Sequence, residues 1–293
     1  MRKHFNIDPW IPCINCNAPM TVNNGLFDNY YFNTETICLN CNKEIDFILQ
    51  LERSIDLNLM NNNMFQLLGL PSKIFNVTIK QEERKKIKFN CFGIPLDSRI
   101  VYINYTSQNG NGQPVQIHGN TPYVDLPQNE VTLYPLPFPS SGKGELEVLV
   151  FIMWSENTDT IIKYLIDGFN QYNLGKYDEM IIPLNIAIES YLTNIIFKHF
   201  EDTWDTKIAN RLIEKLEYNY ILNNILADLT SVNKWIKISK ELRKDLTTLL
   251  QLRNQIAHSG QTKKAISKED ANQILKSVIL AYHFCRIVNQ ELS

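Results

Sequence analysis

The stretch ELEVLVFIMWSENTDTIIKYLIDGFNQY, residues 145–172, decides the reading of the fold, because the spacing of its apolar residues changes within it. Glu145-Leu146-Glu147-Val148 alternates as a half-buried strand does, and the apolar run then continues unbroken to Trp154. From Thr160 to Tyr172 apolar residues return every three or four positions, the repeat of an amphipathic helix. A strand-rich front and a helical back are therefore expected to meet near residue 155.

Working toward the N-terminus, short β-like runs recur at Phe75–Ile79, Lys86–Phe89, Ile100–Ile103 and Val131–Tyr134. Turn residues separate them, notably Asn109-Gly110-Asn111-Gly112 and the prolines 127, 135, 137 and 139, while Pro114 and Pro122 suit sheet edges. This pattern predicts a β-sandwich-like or partly closed β-domain over 56–155. Ahead of it, Glu44-Ile45-Asp46-Phe47-Ile48-Leu49 also alternates, so residues 1–55 read as a small β-hairpin module.

Toward the C-terminus, Lys176–Phe200, Thr206–Glu217, Lys240–His258 and Lys268–Leu292 keep the helical repeat, which predicts an all-α bundle over 156–293. Pro183 predicts a kink or break in the second of these helices. Gly260 stands where a left-handed C-terminal cap is wanted, and Ser267-Lys268-Glu269-Asp270 is close to a capping box. The whole reads as a multidomain α+β chain.

Charge adds limits. Lys plus Arg total 29 against 31 Asp plus Glu, and residues 156–293 hold 17 of each, leaving 12 and 14 in residues 1–155. A nucleic-acid site would then be a local patch, with Lys234, Lys237, Lys240, Arg243 and Lys244 as the candidate and Lys263, Lys264 and Lys268 farther along the chain, the first set being equally readable as a solvated helix face. The opening residues lack the apolar core of a signal peptide, and no apolar run approaches the ~20 residues of a membrane span. A soluble, cytoplasmic protein without membrane association is expected.

Four of the six cysteines form two pairs, Cys13-Ile14-Asn15-Cys16 and Cys38-Leu39-Asn40-Cys41. Two residues between thiols let both sulfurs of a tight turn face one ion, and two such turns complete a tetrahedral four-thiolate shell. The expectation is a structural Zn2+ ribbon with no open position for water, so no catalytic metal is expected. Cys91 and Cys285 have no partner at metal-binding spacing.

One segment of the helical region carries chemistry: Leu249-Leu250-Gln251-Leu252-Arg253-Asn254-Gln255-Ile256-Ala257-His258-Ser259-Gly260. Arg253 falls on the apolar stripe Leu242, Leu246, Leu249, Ile256, where a guanidinium has to find a carboxylate, a phosphate or water. Asn254 lies one turn before His258 and can hold the imidazole. Arg253 and His258 point about 140° apart around a regular helix, so their convergence requires a distorted last turn or a second copy of the helix.

This segment resembles the RxxxxH signature of the HEPN superfamily. The stretch from Tyr172 to Tyr177, running into Ala187–Leu192, is similar to the first two helices of that family, and the resemblance covers about residues 156–293. It implies a homodimer whose paired Arg/His sets line one cleft and cut RNA without a metal. Arg253 and His258 would then be catalytic, with Asn254 as an orienting group. Some relatives place an acid four residues before the Arg. That position is Leu249 here, and Glu189 is a possible substitute or a structural partner of Arg253. The functions so implied are an RNA-cutting toxin or anti-phage defence effector answering to a protein trigger or regulator. The alternatives are a silent helical scaffold that binds RNA or nucleotide, or a nucleic-acid-binding regulator acting through the ribbon.

Overall fold

The computed structural model describes residues 10–21, 24–56, 67–80, 84–108, 117–118, 130–135, 145–156, 159–201, 204–225 and 238–291. The turn at 109–112, prolines 114, 122, 127, 137 and 139, and Lys234 and Lys237 lie outside these residues. The chain mixes helices with antiparallel sheet and divides into two units, one over Leu70–Asp159 and one joining Trp10–Gly69 to Thr160–Ser293. Among the described residues no helix is long and apolar enough to cross a membrane.

In the first unit β3 (Ser72–Lys80), β8 (Glu145–Glu156) and β5 (Ser98–Gln108) form one antiparallel sheet in that order. A second sheet runs β4 (Lys85–Lys88), β7 (Glu130–Pro135), β6 (Ile117–His118). β8 is central, with Val148 opposite Val77 on one side and Ser107 on the other. Leu146, Val148, Val150 and Ile152 share a core with Ile87, Val131 and Leu133 of the second sheet, while Phe151 and Met153 on the opposite face are buried as well. Burial of both faces is why the sequence there is an unbroken apolar run rather than an alternating one. The expected strand through Phe89 stops one residue earlier. Phe89–Phe92 form a 3-10 turn closed by Gly93 at φ 78, which lets the Phe89 ring join the core.

The second unit begins with the hairpin β1 (Trp10–Pro12) and β2 (Pro19–Thr21), then α1 (Asn24–Tyr31) and α2 (Phe47–Asp56). The strand expected across Glu44–Leu49 is replaced by the start of α2. Only Glu44 makes a bridge, to Ile37, after which Asp46 Oδ1 accepts the Leu49 N–H at 3.0 Å as a helix cap. Gln50, Leu51, Ser54 and Ile55, buried at helical spacing, give α2 its inner face.

The longer of the remaining helices are α3 (Thr160–Asn173), α4 (Ile181–Glu201), α5 (Thr206–Ile213), α6 (Lys240–Ser259) and α7 (Lys268–Glu291), with a short α-turn at Tyr218–Tyr220 running into a π-turn at Ile221–Ile225. The helix expected from Lys176 begins only at Ile181, after a turn over 177–180, so Pro183 sits in the first turn of α4, where its missing N–H removes no helical bond. Gly168 lets α3 close on α4, since a Cβ there would lie 2.4 Å from the Leu184 side chain. α7 is capped by a reciprocal pair. Ser267 Oγ accepts the Asp270 N–H at 3.1 Å and Asp270 Oδ2 accepts the Ser267 N–H at 3.2 Å.

α7 is the hub of this unit. Asp245 of α6 accepts Gln273 and Ser277, each at 2.7 Å, and Glu52 of α2 pairs with Lys276 at 2.7 Å. The Tyr31 hydroxyl of α1 reaches the Leu280 carbonyl, and Arg286 pairs with Asp28. His283, fully buried, stacks on Phe27 with ring centroids 3.5 Å apart. Its Nε2 lies 2.6 Å from the Leu67 carbonyl and its Nδ1 faces Arg286 Nε, an arrangement that fits the neutral Nε2–H tautomer.

Candidate functional site

Two sites were expected, and they differ in how complete they are. The first is the cysteine cluster, which the backbone builds twice in the same way. In each pair the first cysteine accepts from an asparagine four residues on, Asn17 N–H to Cys13 O at 2.9 Å and Asn42 N–H to Cys38 O at 2.8 Å. Both asparagines take the left-handed region, φ 60 and φ 54, which Asn tolerates better than most residues. The turns bring the sulfurs of Cys13, Cys16, Cys38 and Cys41 within 4.8 Å of one another.

That spacing suits one ion. Four sulfurs about 2.3 Å from a centre stand about 3.8 Å apart along a tetrahedral edge, and Cys16 Sγ lies 3.8 Å from Cys38 Sγ. A disulfide would need about 2.05 Å. The thiol chemistry agrees. Cys16 is pulled down to about 6, chiefly by the Ala18 N–H and then by the Asn40 side-chain amide. Cys38 is lowered by the N–H groups of Cys41 and Asn40. Cys41 moves to about 11, for although the Lys43 N–H lowers it, desolvation and the neighbouring thiols raise it further. Four crowded thiols cannot all ionise without a cation among them, so the cluster can hold a metal ion such as zinc.

The first turn is fastened to α2. Gln50, 2% exposed, accepts the Ile14 N–H at 2.8 Å and donates to the Pro12 carbonyl at 2.7 Å. Arg53 donates to the Ile14 carbonyl at 3.1 Å and to Asn17 Oδ1 at 2.5 Å. Sequence reasoning missed both residues. The available signal was a polar residue at a buried helical position, Gln50 beside Leu51, which becomes legible only once α2 is recognised as a helix.

The second site is the end of α6. Its stripe is buried at Leu242, Leu246 and Leu249 and half-buried from Arg253 onward, with His258 exposed. Asn254 Oδ1 accepts from Arg253 Nη1 at 3.0 Å, so the asparagine engages the guanidinium where an imidazole partner was expected. Glu189 accepts instead from Asn185 at 3.1 Å, and among the described residues no ion pair joins it to Arg253. The last turn is undistorted. Gly260, at φ 76, donates its N–H to the Ile256 carbonyl at 2.8 Å. One chain therefore carries Arg253 and His258 about 140° apart on a regular helix and does not bring them together.

Of the basic candidates, Lys240, Arg243 and Lys244 occupy the opposite end of α6 from His258, about 22 Å from Arg243 to His258 at 1.5 Å per residue. Lys263, Lys264 and Lys268 follow His258 and are exposed. No family model, curated protein or solved structure matches the chain.

Proposed function

We propose that the protein is a metal-independent endoribonuclease of the HEPN type, acting as a homodimer in which the ends of two α6 helices form one RNA-cutting groove. The observation that carries this reading is the regular close of α6 at Gly260. With no distorted turn to bring Arg253 and His258 together, a second copy is the remaining way to place a guanidinium against an imidazole.

In that groove His258 takes the proton of a ribose 2′-hydroxyl, whose oxygen attacks the adjacent phosphorus. Arg253 holds the phosphate and stabilises the charge that develops on its oxygens. The P–O5′ bond breaks, leaving a 2′,3′-cyclic phosphate, and the departing O5′ takes up the proton held by His258 to become a 5′-hydroxyl. Asn254 keeps the guanidinium in place. DNA, lacking the 2′-hydroxyl, is not cut.

The cysteine cluster holds zinc as a closed structural shell, and the unit over Leu70–Asp159 serves as a sandwich-like recognition module. With RNA cutting as its output, the chain acts as a toxin or defence effector in the cytoplasm. The test is purified protein with mixed RNA. Wild type should yield 2′,3′-cyclic ends and His258→Ala should not, and equal cleavage by both would remove the proposal. A silent scaffold is the second reading, favoured by the fact that Arg253 already has a partner in Asn254. It predicts a large fall in melting temperature for Arg253→Ala with no RNA cut by either protein.

A further inference from the structure

Residues 260–267, which join α6 to α7, are held from several sides. Ser259 Oγ lies 2.7 Å from the Gln255 carbonyl and 2.8 Å from that of Gln261. Gln255 Oε1 accepts the Lys263 N–H at 3.2 Å. Thr262, 8% exposed between exposed neighbours, donates its hydroxyl to Asp178 Oδ1 at 2.9 Å, in the connection between α3 and α4. The backbone around Thr262 is thereby fixed while the side chains of Lys263 and Lys264 stay in water.

Three of the carboxylates nearby have other hydrogen-bond or ion-pair partners, and the exposed Glu269 lies beside one of them. Asp178 accepts Thr262, Glu179 pairs with Lys176 at 3.1 Å, and Asp270 is taken up by Ser267, with Lys264 near enough to help keep it ionised. Among the described residues no ion pair engages Lys263 or Lys264. Two ammonium groups on a fixed loop thus stand five and six residues past His258, whereas the other basic cluster lies at the far end of α6.

We propose that Lys263 and Lys264 bind the RNA phosphates flanking the bond cut at His258, and that the Thr262–Asp178 hydrogen bond is the positioning contact that holds them there. The inference rests on the ribonuclease reading and names how its substrate is gripped. Lysine ammonium groups act as point charges that contact the backbone without reading bases, so the grip is independent of sequence. Because the loop is already pinned, little ordering is needed when a strand arrives.

The experiment uses the full chain and a labelled single-stranded RNA oligonucleotide. Binding is measured in a His258→Ala background, with and without Lys263→Ala plus Lys264→Ala, over a range of salt. Loss of two phosphate contacts should make the slope of log affinity against log salt shallower by about 1.4, at about 0.7 per contact on a single strand. In the otherwise native chain the same pair of changes should raise KM and leave kcat within about twofold. Thr262→Val should lower kcat/KM by about tenfold and Thr262→Ser should restore it, a split that a purely structural threonine would not produce. An unchanged salt slope overturns the grip, and cleavage by wild type would then leave the ribonuclease reading standing. Wild type that neither binds nor cuts RNA overturns both.

Discussion

The cysteine cluster and the end of α6 hold the two sets of chemistry-bearing side chains, and they are finished to different degrees. Four sulfurs from two copies of one turn converge within 4.8 Å in a single chain, fastened to a helix by Gln50 and Arg53. Arg253 and His258 share one continuous helix, about 140° apart around its axis. Convergence inside one chain marks a site that serves the fold. On the reading proposed above, the diverging pair on the capped, half-exposed helix becomes a site only when a second chain supplies the missing partner. The contrast makes separable predictions, because damage to the cluster should appear as lost stability and damage to the helix end as lost activity.

The largest expected effect is on the rate. His258→Ala should lower RNA cleavage by about a thousandfold, as loss of a positioned base does, with a melting temperature close to wild type because the side chain is exposed. Cleavage assays beside thermal melts check this, and a large drop in melting temperature would erase the contrast. Next comes Cys38→Ser, or treatment with a metal chelator. Either should destabilise the helical unit by on the order of 5 kcal/mol, about 10 °C or more in melting temperature for a unit of this size. An unshifted melt would mean that the cluster carries no structural load.

The buried His283 sharpens the comparison through pH. Desolvation pushes it down to about 3 in the folded chain, and the Leu67 carbonyl that favours its charged form only partly offsets this. The unfolded chain takes up a proton near 6.5, so stability is complete above that pH and falls by about 1.4 kcal/mol per unit as pH drops toward about 3. Denaturant titrations at several pH values measure the slope, and His283→Phe should flatten it. Smaller again, Gln50→Ala leaves the Ile14 N–H and the Pro12 carbonyl without their partner and should cost about 2 kcal/mol. Smallest, Ser239→Ala removes the α6 cap on the Leu242 N–H, for about 1 kcal/mol, at the end of the helix away from His258, and should leave cleavage unchanged.

Features set by local chemistry were legible in the sequence. The period change after Trp154, the cap at Gly260, the Ser267–Asp270 box and the cysteine turns depend on residues a few positions apart, and the structure places all of them. Features set by packing were harder to read. Glu44–Leu49 alternates by accident, and the cap at Asp46 outweighs that alternation. Pro183 was placed inside a helix whose start lay five residues later than the apolar repeat suggested. Nothing local in the sequence shows that Trp10–Gly69 joins Thr160–Ser293 in one unit, since the contacts that do it, Tyr31 to Leu280 and Glu52 to Lys276, span more than two hundred residues. For the helix end, the motif was visible, whereas the pairing of Asn254 with Arg253 required coordinates.

The proposed site requires a guanidinium and an imidazole to meet across two chains, and mixing tests this most directly. Arg253→Ala and His258→Ala chains, each inactive alone, are combined and allowed to exchange subunits before RNA is added. If the pair forms between copies, mixed dimers hold one intact Arg/His set, and cleavage should return to about a quarter of the wild-type rate for random pairing in a two-fold dimer. A mixture as inactive as its parents, under conditions where exchange is demonstrated, would contradict the composite site.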